Sequence, residues 1–130
     1  MIDIFIGTLV AATNNDYSQT WNRVSESYVA WTECVVRGVG DQSPAENVQT
    51  QGEGIVRSCE AEQLNYRSSY SALIALDARF SEDVEFNKEE DGCRRVITRS
   101  CIVDEMVELV RHGMVRRAEA NIIANATGYR

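Results

Sequence analysis

From Tyr17 to Val35 the chain reads YSQTWNRVSESYVAWTECV, with large apolar side chains at Tyr17, Trp21, Val24, Tyr28, Trp31 and Val35. Those steps alternate between four and three residues, the period of one helix face, whereas a strand face recurs every second residue. Downstream, Arg37-Gly38-Val39-Gly40 supplies glycines that lower helix propensity and readily take the left-handed cap conformation, so the helix is predicted to end there. Upstream, Ile4 to Ala12 is a mostly apolar run, and Val10 and Ala12 fit the two small positions of a signal-peptidase site. The basic residues that precede an export signal's apolar core are missing, since Asp3 is the only charge before Asp16 and the first base is Arg23. Residues 1–12 therefore read either as a signal-like segment or as an N-terminal apolar stretch packing on the rest. Residues 13–130 read as a single helical domain.

Two further periods follow. Ile55, Cys59, Tyr66, Tyr70, Leu73, Leu76 and Phe80 share helical spacing, with Glu62 standing where the stripe wants an apolar side chain. Ahead of it, Ser43-Pro44-Ala45-Glu46 has the form of a capping box. Gly52 and Gly54 come soon after, which predicts a short helical turn and then the main second helix from about Gly54. The third period runs through Val96, Val103, Val107, Val110 and Met114, widened by Ile102, Met106 and Leu109. It continues to Ile122 and Ile123, with Gly128 as a stop. The expected fold is all-α: an antiparallel three-helix bundle, with residues before 16 and 81–92 left to form a turn or a short fourth helix.

The chain's 130 residues suffice for one domain with a real core. Twenty acidic residues against thirteen basic ones give a net charge of -7, which makes nucleic acid and anionic membrane surfaces poor partners. No apolar run approaches the roughly 18 residues of a spanning helix. Much of the charge sits in one connection, where Glu82, Asp83, Glu85, Glu89, Glu90 and Asp91 face only Lys88. That connection is the candidate contact for a basic partner.

Cys34, Cys59, Cys93 and Cys101 contain no C-x-x-C spacing, so structural zinc is not expected and no metal or cofactor is assigned. Opposed residues in an antiparallel hairpin lie equally far from its turn. The midpoint of Cys34 and Cys59 is 46.5, inside the Gly40 to Gly52 connection, and this predicts a Cys34–Cys59 disulfide brace. Cys93 and Cys101 would lie about 12 Å apart along one regular helix, beyond the roughly 4.4–6.8 Å that a bridge spans. They pair only if the segment between them bends. The rival Cys59–Cys101 pairing has its midpoint at 80, also on a turn, and leaves Cys34 and Cys93 to each other or free. Oxidised cysteines imply a periplasmic or secreted protein. Four reduced, buried cysteines would instead fit a cytoplasmic one.

Other patterns carry less. Asp83 to Asn87 alternates oxygens like a calcium loop, but Lys88 takes the place of the turn glycine. Glu105, Glu108 and His112 share a helix face without matching ligands elsewhere, and read as a solvated charge network. Asn125-Ala126-Thr127 fits an N-glycosylation acceptor. With one histidine, no G-x-S-x-G and no glycine-rich phosphate loop, no catalytic constellation is present and an enzyme is not expected. The leading expectation is a small exported protein acting by protein–protein binding, as an inhibitor or neutralising partner. One alternative is a small-molecule binder with a pocket lined by Trp21, Tyr28, Trp31, Tyr66 and Tyr70. Another is an intracellular regulatory subunit with reduced thiols. Oligomeric state is open, because an aromatic stripe serves a dimer interface as well as a core.

Overall fold

The computed structural model describes the backbone of residues 2–77, 86–90 and 93–128, and the side chains of residues 16–77 and 98–128. The elements are α1 (Ile2–Val39), α2 (Val48–Arg57), α3 (Glu60–Ala75), β1 (Phe86–Glu90), β2 (Cys93–Ile97) and α4 (Arg99–Thr127). The helical bundle predicted from the apolar periods is present. α2 and α3 form one antiparallel rod, broken at Ser58 and Cys59, that packs against both α1 and α4. Cys34 meets Cys59 and Tyr28 meets Tyr66 across the α1–α3 seam, so those helices run in opposite directions. Thr32 Oγ1 donates to Met114 Sδ at 3.8 Å, and Asn125 reaches Gly40, so α4 runs parallel to α1.

Local chemistry accounts for most of the boundaries. Gly40, at a φ of 52°, follows the last residue of α1, and Gly128, at 77°, caps α4, both in the region that favours glycine. Thr98 caps α4 by accepting from Cys101 N–H. The capping-box expectation at Ser43 is corrected, because residues 43–47 are not helical and Asn47 is the N-cap, accepting from Thr50 N–H at 3.0 Å. Gln51 explains the shift: its side chain is tied to Ala45 N–H, to Ser43 O and to Gln42, holding the connection as a compact loop.

Gly52 and Gly54 do not break the rod either, and both lie inside α2. Gly52 is buried where α2 crosses α4, and a Cβ there would come within 3.2 Å of Val115 O and 3.3 Å of Glu119 Cγ. Its role is close approach rather than termination. Within 81–92, where a turn or a short fourth helix is expected, residues 86–90 instead form the strand β1, which pairs antiparallel with β2 in register Phe86 with Ile97. Val96 thus belongs to a strand backbone, and the third helical period begins at Arg99.

The core is built from the predicted stripes. Trp31, Val35, Val56, Cys59, Val103, Met114 and Ile122 are its largest fully buried side chains. Tyr17 and Trp21, expected on the core face, are about half exposed at 54% and 50%. At this end of α1 it is Thr20 and Val24 that face inward, at 8% and 5% exposure, so Tyr17 and Trp21 fall on the outer side of the helix. Leu109, placed on the third stripe, points to solvent at 67% exposure. Among the described residues no helix is long and apolar enough to cross a membrane.

Candidate functional site

The α1–α3 seam gathers the chemically distinctive side chains of the molecule. Cys34 from α1 and Cys59 at the head of α3 are joined by a disulfide with a Cα separation of 6.0 Å, as the midpoint argument predicts. Cys59 is fully buried and Cys34 half-buried. Cys101 is a free thiol that donates to Glu105 at 4.0 Å, so neither Cys93–Cys101 nor Cys59–Cys101 forms. Thr98 starts α4 ahead of Cys101 and sets it on a regular helix facing Glu105. The side chain of Cys93 lies outside the described residues.

Next to the disulfide the aromatic rings close on one another. Tyr66 lies 5.6 Å from Trp31, 6.3 Å from Tyr28 and 6.1 Å from Tyr70, centre to centre. Such spacings are those of packed rings. Of the five aromatics expected to line a pocket, Tyr28, Trp31, Tyr66 and Tyr70 are thus in ring contact, and Trp21 stands apart from them on the surface. Register brings the rings of Tyr28 and Trp31 onto the same level as Tyr66. Burial pushes the Tyr66 hydroxyl above the ordinary tyrosine range, with the neighbouring Tyr70 and Tyr28 adding to it, and burial does the same to Tyr70. Trp31 Nε1 is buried with no hydrogen-bond partner among the described residues. Its ring is held in place by packing alone.

Two open clefts flank the seam. One, at the α2–α3 break, is lined by Glu53, Val56, Arg57, Glu60, Gln63 and Arg111. The other lies between α3 and α4, where Arg67 pairs with Asp104. On α4, Arg111 donates twice to Glu108, at 2.6 and 3.1 Å, and His112 Nε2 lies 3.2 Å from the same carboxylate. The Arg111 hydrogen bonds hold Glu108 below the ordinary carboxylate range. This is the solvated charge network read from the sequence. Asn125, the candidate glycosylation acceptor, is committed elsewhere. Its Nδ2 donates to Gly40 O at 2.9 Å and Gln42 O at 3.0 Å, tying α4 to the end of α1.

Of the acidic contact candidates, Glu82, Asp83, Glu85 and Asp91 lie outside the described residues. Glu89 and Glu90 are described only as strand backbone. Residues 2–12 form the first turns of α1, continuous with the bundle helix. The residue that the functional reading of the sequence passed over is Glu62. One carboxylate oxygen of Glu62 and the two disulfide sulfurs lie within 4.8 Å of one another. The signal was its position, a charge on an apolar stripe. Comparison with protein families, with curated proteins and with solved structures returns no match.

Proposed function

We propose that this chain is a non-enzymatic helical protein of an oxidising compartment, periplasmic or extracellular, that acts by binding another protein as an inhibitor or neutralising partner. The observation that carries the reading is the exposed pair Tyr17 and Trp21, presented on a helix that a disulfide braces one seam further down. Tyrosine and tryptophan supply a large share of binding energy at protein interfaces, because they bury much area for little lost side-chain freedom. A cross-linked scaffold lowers the ordering cost of association. The acidic connection from Glu82 to Asp91 suits a partner with a basic surface, by steering its approach. The disulfide itself fits a compartment where thiols are oxidised.

The test is affinity capture from the native organism with the wild-type chain beside a Tyr17→Ser/Trp21→Ser variant whose helicity matches by circular dichroism. A partner enriched by the wild type and lost with the variant is the expected result. Equal enrichment by both, or none above a charge-matched helical control, overturns the reading. Alkylation of the natural protein under native redox conditions tests the compartment, and four reactive thiols would rule out an oxidising one.

A further inference from the structure

The seam that braces the bundle also brings together three metal-ligand atoms: Sγ of Cys34, Sγ of Cys59 and a carboxylate oxygen of Glu62, all within 4.8 Å of one another. In the oxidised chain the sulfurs are bonded to each other, and Glu62 is the member without an evident purpose. It occupies a position where the α3 stripe wants an apolar side chain, it is half-buried, and among the described residues it makes no hydrogen bond or ion pair.

We infer that reduction of the Cys34–Cys59 disulfide turns this seam into a binding site for a thiophilic divalent cation of the zinc type, held by the two thiolates and Glu62. A dithiol reductant supplies the two electrons and leaves as its own disulfide, breaking the S–S bond and leaving two thiols. The cation then displaces both thiol protons, forming two metal–sulfur bonds and one metal–oxygen bond. Cys59 and Glu62 are one helical turn apart and share a face of α3, and Cys34 reaches them from α1. Tetrahedral zinc with bonds of about 2.3 Å to sulfur sets its two sulfurs about 3.8 Å apart. Binding requires the freed side chains to rotate apart to that spacing across a Cα separation of 6.0 Å. Thiolate and carboxylate are both zinc ligands, and three protein donors leave the fourth position to water. Because the cation binds only the reduced chain, it makes the disulfide easier to reduce. The site is independent of any protein partner.

The experiment uses the full chain with Cys93→Ser and Cys101→Ser, so that only the seam thiols remain, reduced with a phosphine and titrated anaerobically with cadmium as the probe. The expected result is one cadmium per chain with thiolate-to-metal charge-transfer absorption, and none for the oxidised chain. Glu62→Gln keeps that absorption and lowers affinity at least about tenfold, the loss that even supporting residues of metal sites produce. Circular dichroism follows the fold throughout. A reduced chain that loses helicity and regains it with cadmium supports the site. Equal binding by oxidised and reduced chains, unchanged affinity in Glu62→Gln, or lost helicity that cadmium does not restore would each overturn it.

Discussion

Breaking the Cys34–Cys59 bridge tests the bundle's dependence on its one cross-link among the described cysteines. The bridge closes a loop with a sequence separation of 25. The chain-entropy relation for a loop of that length gives about 3.5 kcal/mol, the freedom the unfolded chain regains when the bond is cut. For a chain of 130 residues the unfolding entropy is about 270 cal/mol/K, so the midpoint temperature should fall by about 13 °C. A domain with the usual stability of roughly 5–15 kcal/mol stays folded after that loss. The assay is urea unfolding of the oxidised chain, of the reduced chain with a chelator present, and of Cys34→Ala/Cys59→Ala. The double variant adds a smaller loss of order 1 kcal/mol, because Cys59 is fully buried and its sulfur is replaced by empty space. A loss below about 1 kcal/mol in the reduced chain would refute the reasoning. It would mean that the unfolded chain already keeps residues 34 and 59 close, or that packing at the Trp31–Tyr66 seam alone sets the stability.

Three other expectations follow from single contacts. Gly54→Ala, with nothing within 4 Å of a new Cβ, should stabilise by about 0.5–1 kcal/mol through helix propensity, whereas Gly38→Ala should destabilise by about 1–3 kcal/mol, since its Cβ would lie 2.8 Å from Ile55 Cγ2; thermal unfolding of the pair reads both signs. Asn125→Ala should lose about 1–2 kcal/mol with its two hydrogen bonds to Gly40 O and Gln42 O, and Asn125→Asp should lose at least as much, because a carboxylate cannot donate; chemical denaturation checks both. Tyr66 is held protonated in the fold, so its contribution is complete below the ordinary tyrosine value near 10.0 and fades as pH rises through the higher folded value. Stability should therefore fall above about pH 10, and Tyr66→Phe should flatten that fall in urea titrations at stepped pH; an unchanged slope would refute the assignment.

The bundle was legible in the sequence where periodicity reports burial directly. Trp31, Val35, Val103, Val107, Met114 and Ile122 occur at helical spacing and are buried, because a helix can hide only one face. The staple was legible for a related reason: an antiparallel pair equates distances from its turn, so residue numbers alone align Cys34 with Cys59. Other features gave no readable signal. Gln51 stabilises the connection through contacts to Gln42, Ser43 and Ala45, which displaced the helix start from the Ser43 box to Asn47. Gly52 looks like a breaker in one dimension and is a contact point in three, since only the position of α4 shows that a side chain there would strike Val115. The aromatic stripe gave the correct face but could not show whether Tyr28, Trp31, Tyr66 and Tyr70 line a space or fill it.

The sequence by itself determined the helical class, the number of apolar faces to be buried, the glycine ends at Gly40 and Gly128, and the pairing of two cysteines. All of these depend on separations along the chain, which a helix converts to distance at a constant rate. The tertiary structure decided the rest. It turned Thr20 and Val24 inward at the near end of α1 and left Tyr17 and Trp21 in solvent. It brought the rings into contact, committed Asn125 to the end of α1, and laid Glu62 beside the two sulfurs. Those outcomes depend on how separate helices end and slide against one another, a property that no spacing within a single helix records.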